Sequence, residues 1–312
     1  MKLPIKVQLP ANFLEAEIRE GYEVTVKQKK IWAVELDLLN ELMDVCKKHG
    51  IKFQVFAGTL LGAVRHKGFI PWDDDLDVAI TRDEYNKLLA VSAEFKSPYF
   101  LQTALSDRRY FCPYARLRNS ETTAVIKGMV DPTYNSGIYI DIFVLDGCAL
   151  HSLLFKFQHA LRLVVRKLLT VYYQKEPRDS SMLERLLRVT RLLARMFPYA
   201  VWYSMYLKII TMFDKSSVLA FLSHTTWDRS RHWVYRKETD ELIELPFENL
   251  RVPVSKFYPE ILSRNYHNYM SFPPAELRGK WHEGKIHFEP DVPYKEYFAR
   301  KKILDDDCHD AE

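Results

Sequence analysis

Cysteine is scarce in this 312-residue chain, and what there is does not cluster. Cys46, Cys112, Cys148 and Cys308 lie far apart and form no CxxC pair. That argues against a zinc ribbon or a disulfide-stapled scaffold and suits a reducing compartment. No run of ~18 apolar residues is present, so no spanning helix is expected. The opening "MKLPIKVQLPANF" lacks the apolar core of a signal peptide, and a cytoplasmic protein, at most lying on a membrane, is expected. There is no internal repeat and no low-complexity tract. The net charge of +4 is too small to imply a nucleic-acid partner. A hydrophobic content of 47% over this length is enough for a sizeable core.

Periodicity predicts a helix over residues 28–49, with Trp32, Leu36, Leu39, Met43 and Cys46 on one stripe and Gly50 as its stop. Alternation predicts strands over 52–57 and 76–80, the second followed by a helix over 82–94 opened by a Thr81–Glu84 capping box. Further strands are expected over 99–103, 112–117, 122–126 and 137–145. The reading is an α+β protein with an N-terminal extension (1–27) and a mixed-sheet core (28–148). A basic amphipathic helical region (149–222) and a C-terminal region (223–312) that completes the domain follow.

Between His151 and Lys215 there are twelve Lys/Arg against four Asp/Glu. Leu153, Phe157, Leu161, Val164 and Leu168 share one helical face. Arg188, Arg191 and Arg195 form a stripe opposite Leu183, Leu186 and Leu193. Two readings stay open: helices packed on the core with their arginines in solvent, or a basic surface resting on anionic lipid.

The densest chemistry is in "GFIPWDDDLDVAI", residues 68–80, where Asp73, Asp74, Asp75 and Asp77 fall within five positions. A solvated turn does not suit Asp77, which alternates with Leu76 and Val78 as in a half-buried strand. An EF-hand register starting at Asp73 places Asp75, Asp77 and Glu84 at ligand positions, but puts Val78 where the loop needs glycine. The preceding "KGFIPW" also cannot be a helix. A divalent-metal site for phosphate chemistry fits better. Asp75 and Asp77, two apart, share one strand face, and Asp141 in "YIDIF" offers a third carboxylate from another strand. Upstream, Gly58 and Gly62 flank a helix start where backbone N–H groups can meet phosphate, and Arg65, His66 and Lys67 add positive charge.

These motifs resemble the LicD family of phosphotransferases, which includes fukutin-like proteins and belongs to the polymerase-β-like nucleotidyltransferase superfamily. The resemblance rests on "AGTLLGAVRHKGFIPWDDDLDVAI", "IDIFVLDG" and "YMSFPP", covering about residues 30–148 and 245–285. It implies a nucleotidyltransferase-like mixed sheet, two Mg²⁺ (or Mn²⁺) ions, and a CDP-linked alcohol as donor. The implied reaction moves a phospho-alcohol, chiefly phosphocholine from CDP-choline, onto a sugar hydroxyl of a cell-surface glycan or its lipid-linked precursor. Glycerol- or ribitol-phosphate transfer and true nucleotidyl transfer from an NTP are the alternatives, and a non-catalytic scaffold is a third class.

In these terms Asp75, Asp77 and Asp141 are the catalytic metal ligands, with Asp73 a further ligand. Gly58, Thr59, Gly62, Arg65, Trp72, Asp74, Arg116 and Arg118 are candidates for phosphate or substrate contact. His282 matches a family histidine for which a substrate contact and a structural role stay open; its HExxxH setting has the wrong spacing for a zinc protease. Where the family reads Tyr-Gly-Asp-Tyr-Met, this chain has Tyr266-His267-Asn268-Tyr269-Met270. A choline donor implies an aromatic cage, for which Trp72 beside the acids is the candidate.

Overall fold

A short hairpin, β1 (Glu17–Arg19) and β2 (Tyr22–Val24), leads directly into the long helix α1 (Val26–His49). The computed structural model describes residues 3–107, 111–127, 131–150, 153–173, 182–221, 233–279 and 284–309, with 182–185 and 302–309 described by backbone alone. The Thr25 hydroxyl caps α1 by accepting from the Gln28 N–H at 3.2 Å, and Gly50 ends it at φ 63°. Nearly every residue from Ile31 to Leu39 is buried, so α1 is a core helix rather than a one-faced surface helix. Trp32 stacks on Phe69 with ring centroids 4.7 Å apart. Asp37, though charged, is buried because it accepts from the Lys6 and Val7 N–H groups and the Tyr99 hydroxyl.

The chain then alternates through β3 (Gln54–Val55), α2 (Ala57–Arg65), β4 (Asp77–Thr81), α3 (Arg82–Ala90), β5 (Tyr99–Gln102), β6 (Ala115–Asn119), β7 (Thr123–Ile126) and β8 (Ile138–Gly147). In the sheet β3 lies beside β4, β4 beside β8, β8 beside β6 and β6 beside β5. The α+β expectation holds, with local differences. The strand expected over 52–57 is only two residues long, because Ala57 already begins α2. The capping box does not form. Glu84 instead accepts from the Lys52 backbone N–H at 2.9 Å, tying the start of α3 to the segment after α1.

Contacts divide the chain into two units, residues 1–143 with 239–312, and residues 144–238. The second unit holds the end of β8, helices α4 (Leu153–Tyr172), α5 (Met182–Arg195) and α6 (Tyr199–Ile210), and strands β9 (Val218–Ala220) and β10 (Trp233–Tyr235). Within it β9 pairs antiparallel with both β8 and β10. The first unit closes with the hairpin β11 (Leu242–Phe247) and β12 (Leu250–Ser255), α7 (Tyr258–Tyr266), β13 (Ile286–Glu289) and α8 (Tyr294–His309). Here β13 pairs antiparallel with β7, and Glu248 at the β11–β12 turn accepts from Arg19 and from the Phe69 N–H.

The helices of the second unit match the solvated-arginine reading at Arg188 and Arg195, which are exposed, and depart from it elsewhere. Arg191 is buried while Leu186 and Leu193 are exposed, and on α4 Leu153, Phe157 and Val164 are exposed as well.

Candidate active site

The site begins where α2 meets β4. Asp77 opens β4, and its backbone N–H donates to the Thr59 hydroxyl at 2.8 Å while its carbonyl accepts from Phe56. Thr59 therefore holds the acidic strand to the helix through its side chain. No side chain caps the start of α2. Gly58 sits in that first turn so close to the acids that a Cβ there would lie 3.0 Å from Asp73 Oδ2. Gly62, one turn on, is required sterically, since a Cβ would strike the Gly68 carbonyl oxygen.

The acid-bearing turn is fastened from below by α1. Trp32 Nε1 and Gln28 Nε2 both donate to the Asp73 carbonyl, at 3.0 and 3.1 Å. Asp75 lies before β4 rather than on it, so the expected two-residue alternation with Asp77 is a turn-to-strand relationship instead. On the neighbouring strand Asp141 donates its N–H to the Leu76 carbonyl at 3.0 Å, which brings β8 alongside the same turn.

These acids interact. Burial pushes the Asp77 carboxyl well above the usual carboxylate range, and repulsion from Asp75, Asp141 and Asp73 adds to it, with Arg116 opposing. A sixth acid belongs to this group and escaped the sequence reading. Glu35 of α1 is 1% exposed, and Oε2 has no hydrogen-bond partner among the described residues. Burial raises its pKa well above the usual value, reinforced by Asp75, Asp74, Asp73 and Asp77. The signal was present in the sequence, since Glu35 stands three residues from Trp32 on the apolar side of the helix.

Among the described residues, no group of three His, Cys, Asp or Glu side chains is arranged to hold a metal ion as it stands. The donor chemistry nevertheless suits a hard divalent cation. Neighbouring carboxylates crowd the buried Asp77 and raise its pKa, and oxygen ligands of this kind are what Mg²⁺ or Mn²⁺ take.

The basic candidates are mostly committed to the protein itself. Arg116 Nε donates to Asp141 Oδ1 at 2.6 Å, and its guanidinium lies 3.9 Å from the Tyr139 ring centroid. Arg118 is buried, donating to Gln102 Oε1 at 2.5 Å and the Gly137 carbonyl at 2.6 Å. Arg65 donates to the Tyr269 and Ser271 carbonyls at 3.1 and 2.9 Å and to His66 Nε2 at 2.8 Å. It thereby pins the 269–272 segment to the end of α2. Burial and the Arg65 charge hold the His66 imidazole below its ordinary pKa, against the pull of Glu20, whose Oε2 lies 2.7 Å from Nδ1.

Trp72 is the hub of an aromatic group. His66, Phe272 and Tyr22 lie 5.8–6.1 Å from it, and the Arg278 guanidinium lies 4.7 Å from its ring centroid. Trp72 and Asp74 line a cavity of about 630 Å³ together with Tyr22, Lys27, Arg278 and His287. His282 lies outside the described residues. At His267, where the resemblance has glycine, the backbone adopts φ 55°.

Residues 50–146 match the family described as LicD/FKTN/FKRP, nucleotidyltransferase domain. Over 269 residues the chain is 26% identical to the lipopolysaccharide cholinephosphotransferase LicD of Haemophilus influenzae, covering 81% of this chain and 94% of that protein. Shorter likenesses run to uncharacterized proteins of Rickettsia typhi and Rickettsia prowazekii. The first is 37% identical over 71 residues (23% of each chain), the second 41% over 59 residues (19% of this chain, 22% of the other). The matched stretch contains α2, the acid turn, β4 and the Asp141 strand, the same elements that assemble the carboxylates. The domain match and the likeness along most of the chain together support a member of the LicD family.

Proposed function

We propose that the protein is a metal-dependent phosphotransferase that moves a phospho-alcohol, phosphocholine in the first instance, from a CDP-linked donor to a sugar hydroxyl of a glycan or lipid-linked glycan. The observation that carries this reading is the convergence of Asp73, Asp75 and Asp141 on the buried Asp77 beside the uncapped start of α2. A concentration of negative charge of that kind needs cations, and a phosphotransfer site provides a use for them.

Asp75, Asp77 and Asp141 would hold the metal, with Asp73 beside them. Divalent cations supply charge neutralisation at a diphosphate and activate the attacking oxygen when bound. Gly58 leaves room for a phosphate oxygen to approach the first turn of α2, whose positive end favours the anion. Thr59 keeps that turn and the acidic strand in register. Arg116 fixes the Asp141 carboxylate and lowers the local negative charge. The cavity walled by Trp72 and Tyr22 presents aromatic faces suited to a sugar ring, and Asp74 reaches its edge, where it can accept a hydrogen bond from an acceptor hydroxyl.

A second donor class is favoured by one observation. The Trp72 ring already carries the Arg278 guanidinium over it. Glycerol- or ribitol-phosphate donors need no aromatic cage and would tolerate that arrangement.

Incubating the protein with labelled CDP-choline, CDP-glycerol, CDP-ribitol and NTPs, each with Mg²⁺ and with EDTA, tests the reading. Metal-dependent release of CMP supports it and ranks the donors. Release of pyrophosphate from an NTP replaces it with nucleotidyl transfer. No turnover of any donor, together with full biological function of Asp75→Ala and Asp77→Ala, would favour a binding scaffold.

A further inference from the structure

The helices of the 144–238 unit carry apolar side chains on their outer side as well as their buried one. On α4 the polar Gln158 and Arg162 are buried at 1% and 2% exposure, while Leu153, Phe157 and Val164 on its outer side are 80%, 58% and 61% exposed. On α5 Arg191 is 4% exposed, whereas Leu186 and Leu192 are 62% and 68% exposed, and Met196 just beyond the helix is 68% exposed. Val201 and Met205 continue the exposed apolar side along α6. A helix resting on a core in water turns polar side chains outward, and this many exposed large apolar side chains on neighbouring helices are unusual on a free protein.

Among the described side chains of α4, α5 and α6, the exposed charges are of one sign. Lys156 and Lys167 on α4, Arg188 and Arg195 on α5, and Lys208 on α6 are all exposed. Among the described residues, these five basic side chains are displayed alongside the exposed leucines. Among the described residues no helix is long and apolar enough to cross a membrane.

We propose that this unit seats on the surface of an anionic lipid bilayer. The outer side chains of α4, α5 and α6 enter the acyl boundary, and the lysines and arginines meet the headgroup phosphates. Charge argues against a second copy as the occupant, because two-fold pairing would press two basic surfaces together. The assignment does not depend on the chemistry proposed for the carboxylate site.

The full-length protein, sedimented with vesicles of phosphatidylcholine alone or of equal parts phosphatidylcholine and phosphatidylglycerol, gives the direct test. Binding should require the anionic lipid and weaken as salt rises. Phe157→Ser, Leu192→Ser and Met196→Ser alter exposed positions, so the fold should survive, as circular dichroism would show. Each should weaken vesicle binding roughly ten-fold. A second readout needs no variant: backbone hydrogen exchange in α4 and α5 of the unaltered protein should slow when anionic vesicles are added. Failure to sediment with anionic vesicles at low salt overturns the proposal, as does equal binding to phosphatidylcholine alone. A concentration-dependent dimer abolished by the same substitutions without lipid would assign the surface to a second copy instead.

Discussion

Arg116 and Asp141 stand directly opposite each other on β6 and β8 and share an ion pair of 2.6 Å. Both side chains are largely buried, at 7% and 14% exposure, so neither can turn to solvent if the other is removed. Arg116→Met should destabilise the protein by about 3 kcal/mol, because it strands a carboxylate among others already repelling one another. Arg116→Met with Asp141→Asn should recover much of that stability without recovering turnover. Thermal unfolding of both variants, beside an activity assay, separates the two effects.

Glu35 gives a pH signature. Its folded pKa is raised, so the native state binds this proton more tightly than the unfolded chain. The associated stability is fully present below the unfolded value of about 4.3 and is lost as pH rises toward the folded one. In metal-free protein, Glu35→Gln should therefore flatten the decline in stability above that pH by up to about 1.4 kcal/mol per pH unit. Denaturant midpoints from pH 4 to pH 8 in EDTA measure it; slopes that match the unaltered protein would show that folding does not raise the Glu35 pKa.

Thr59 is tested by its hydroxyl. Thr59→Val keeps the shape but leaves the buried Asp77 N–H without its acceptor, costing about 1–3 kcal/mol. Thr59→Ser restores the acceptor and should recover most of both stability and turnover. If valine and serine behave alike, the hydroxyl does not hold the strand.

The two glycines of α2 should fail differently. Gly58→Ala adds a methyl against Asp73 Oδ2, a side-chain atom able to move a few tenths of an ångström. Turnover should fall while the melting temperature barely changes. Gly62→Ala drives a methyl into the Gly68 backbone carbonyl, and about 2–3 kcal/mol of stability should be lost. Melting curves and a steady-state assay distinguish the cases.

His267 holds a backbone conformation that favours glycine, at φ 55°. His267→Gly should raise stability by about 1 kcal/mol or leave it unchanged, since strain relief competes with the greater freedom of unfolded glycine. A loss of stability, read from the unfolding midpoint, would show that the imidazole contributes more than the strain costs.

The physical reasons for what could be read in advance differ from element to element. α1 was legible because its stripe, its basic last turn and Gly50 all agree, and it runs to His49 with Gly50 in the left-handed region. The strand bearing Asp141 was legible because a lone acid interrupts an otherwise apolar run. Glu35 was passed over because a glutamate in a helical repeat is ordinarily solvated, although its three-residue spacing from Trp32 places it on the apolar side. Arg118 was hidden for a related reason: alternation assigns it a face, but only Gln102 and Gly137 determine that this face is closed. On α4 both sides are apolar, so periodicity located the helix without saying which side would be covered.

The contacts around residues 65–69 have a practical consequence. Glu248 clamps the Phe69 N–H, the Tyr269 and Ser271 carbonyls receive Arg65, and β13 supplies the partner of β7. All of these come from beyond residue 239, whereas the family match ends at 146. A fragment trimmed to the matched stretch would expose an unpaired strand edge and leave Arg65 without its two carbonyl acceptors. The stretch that is easiest to recognise is therefore not one that can be excised, and any shortened version for biochemical work has to keep the C-terminal third.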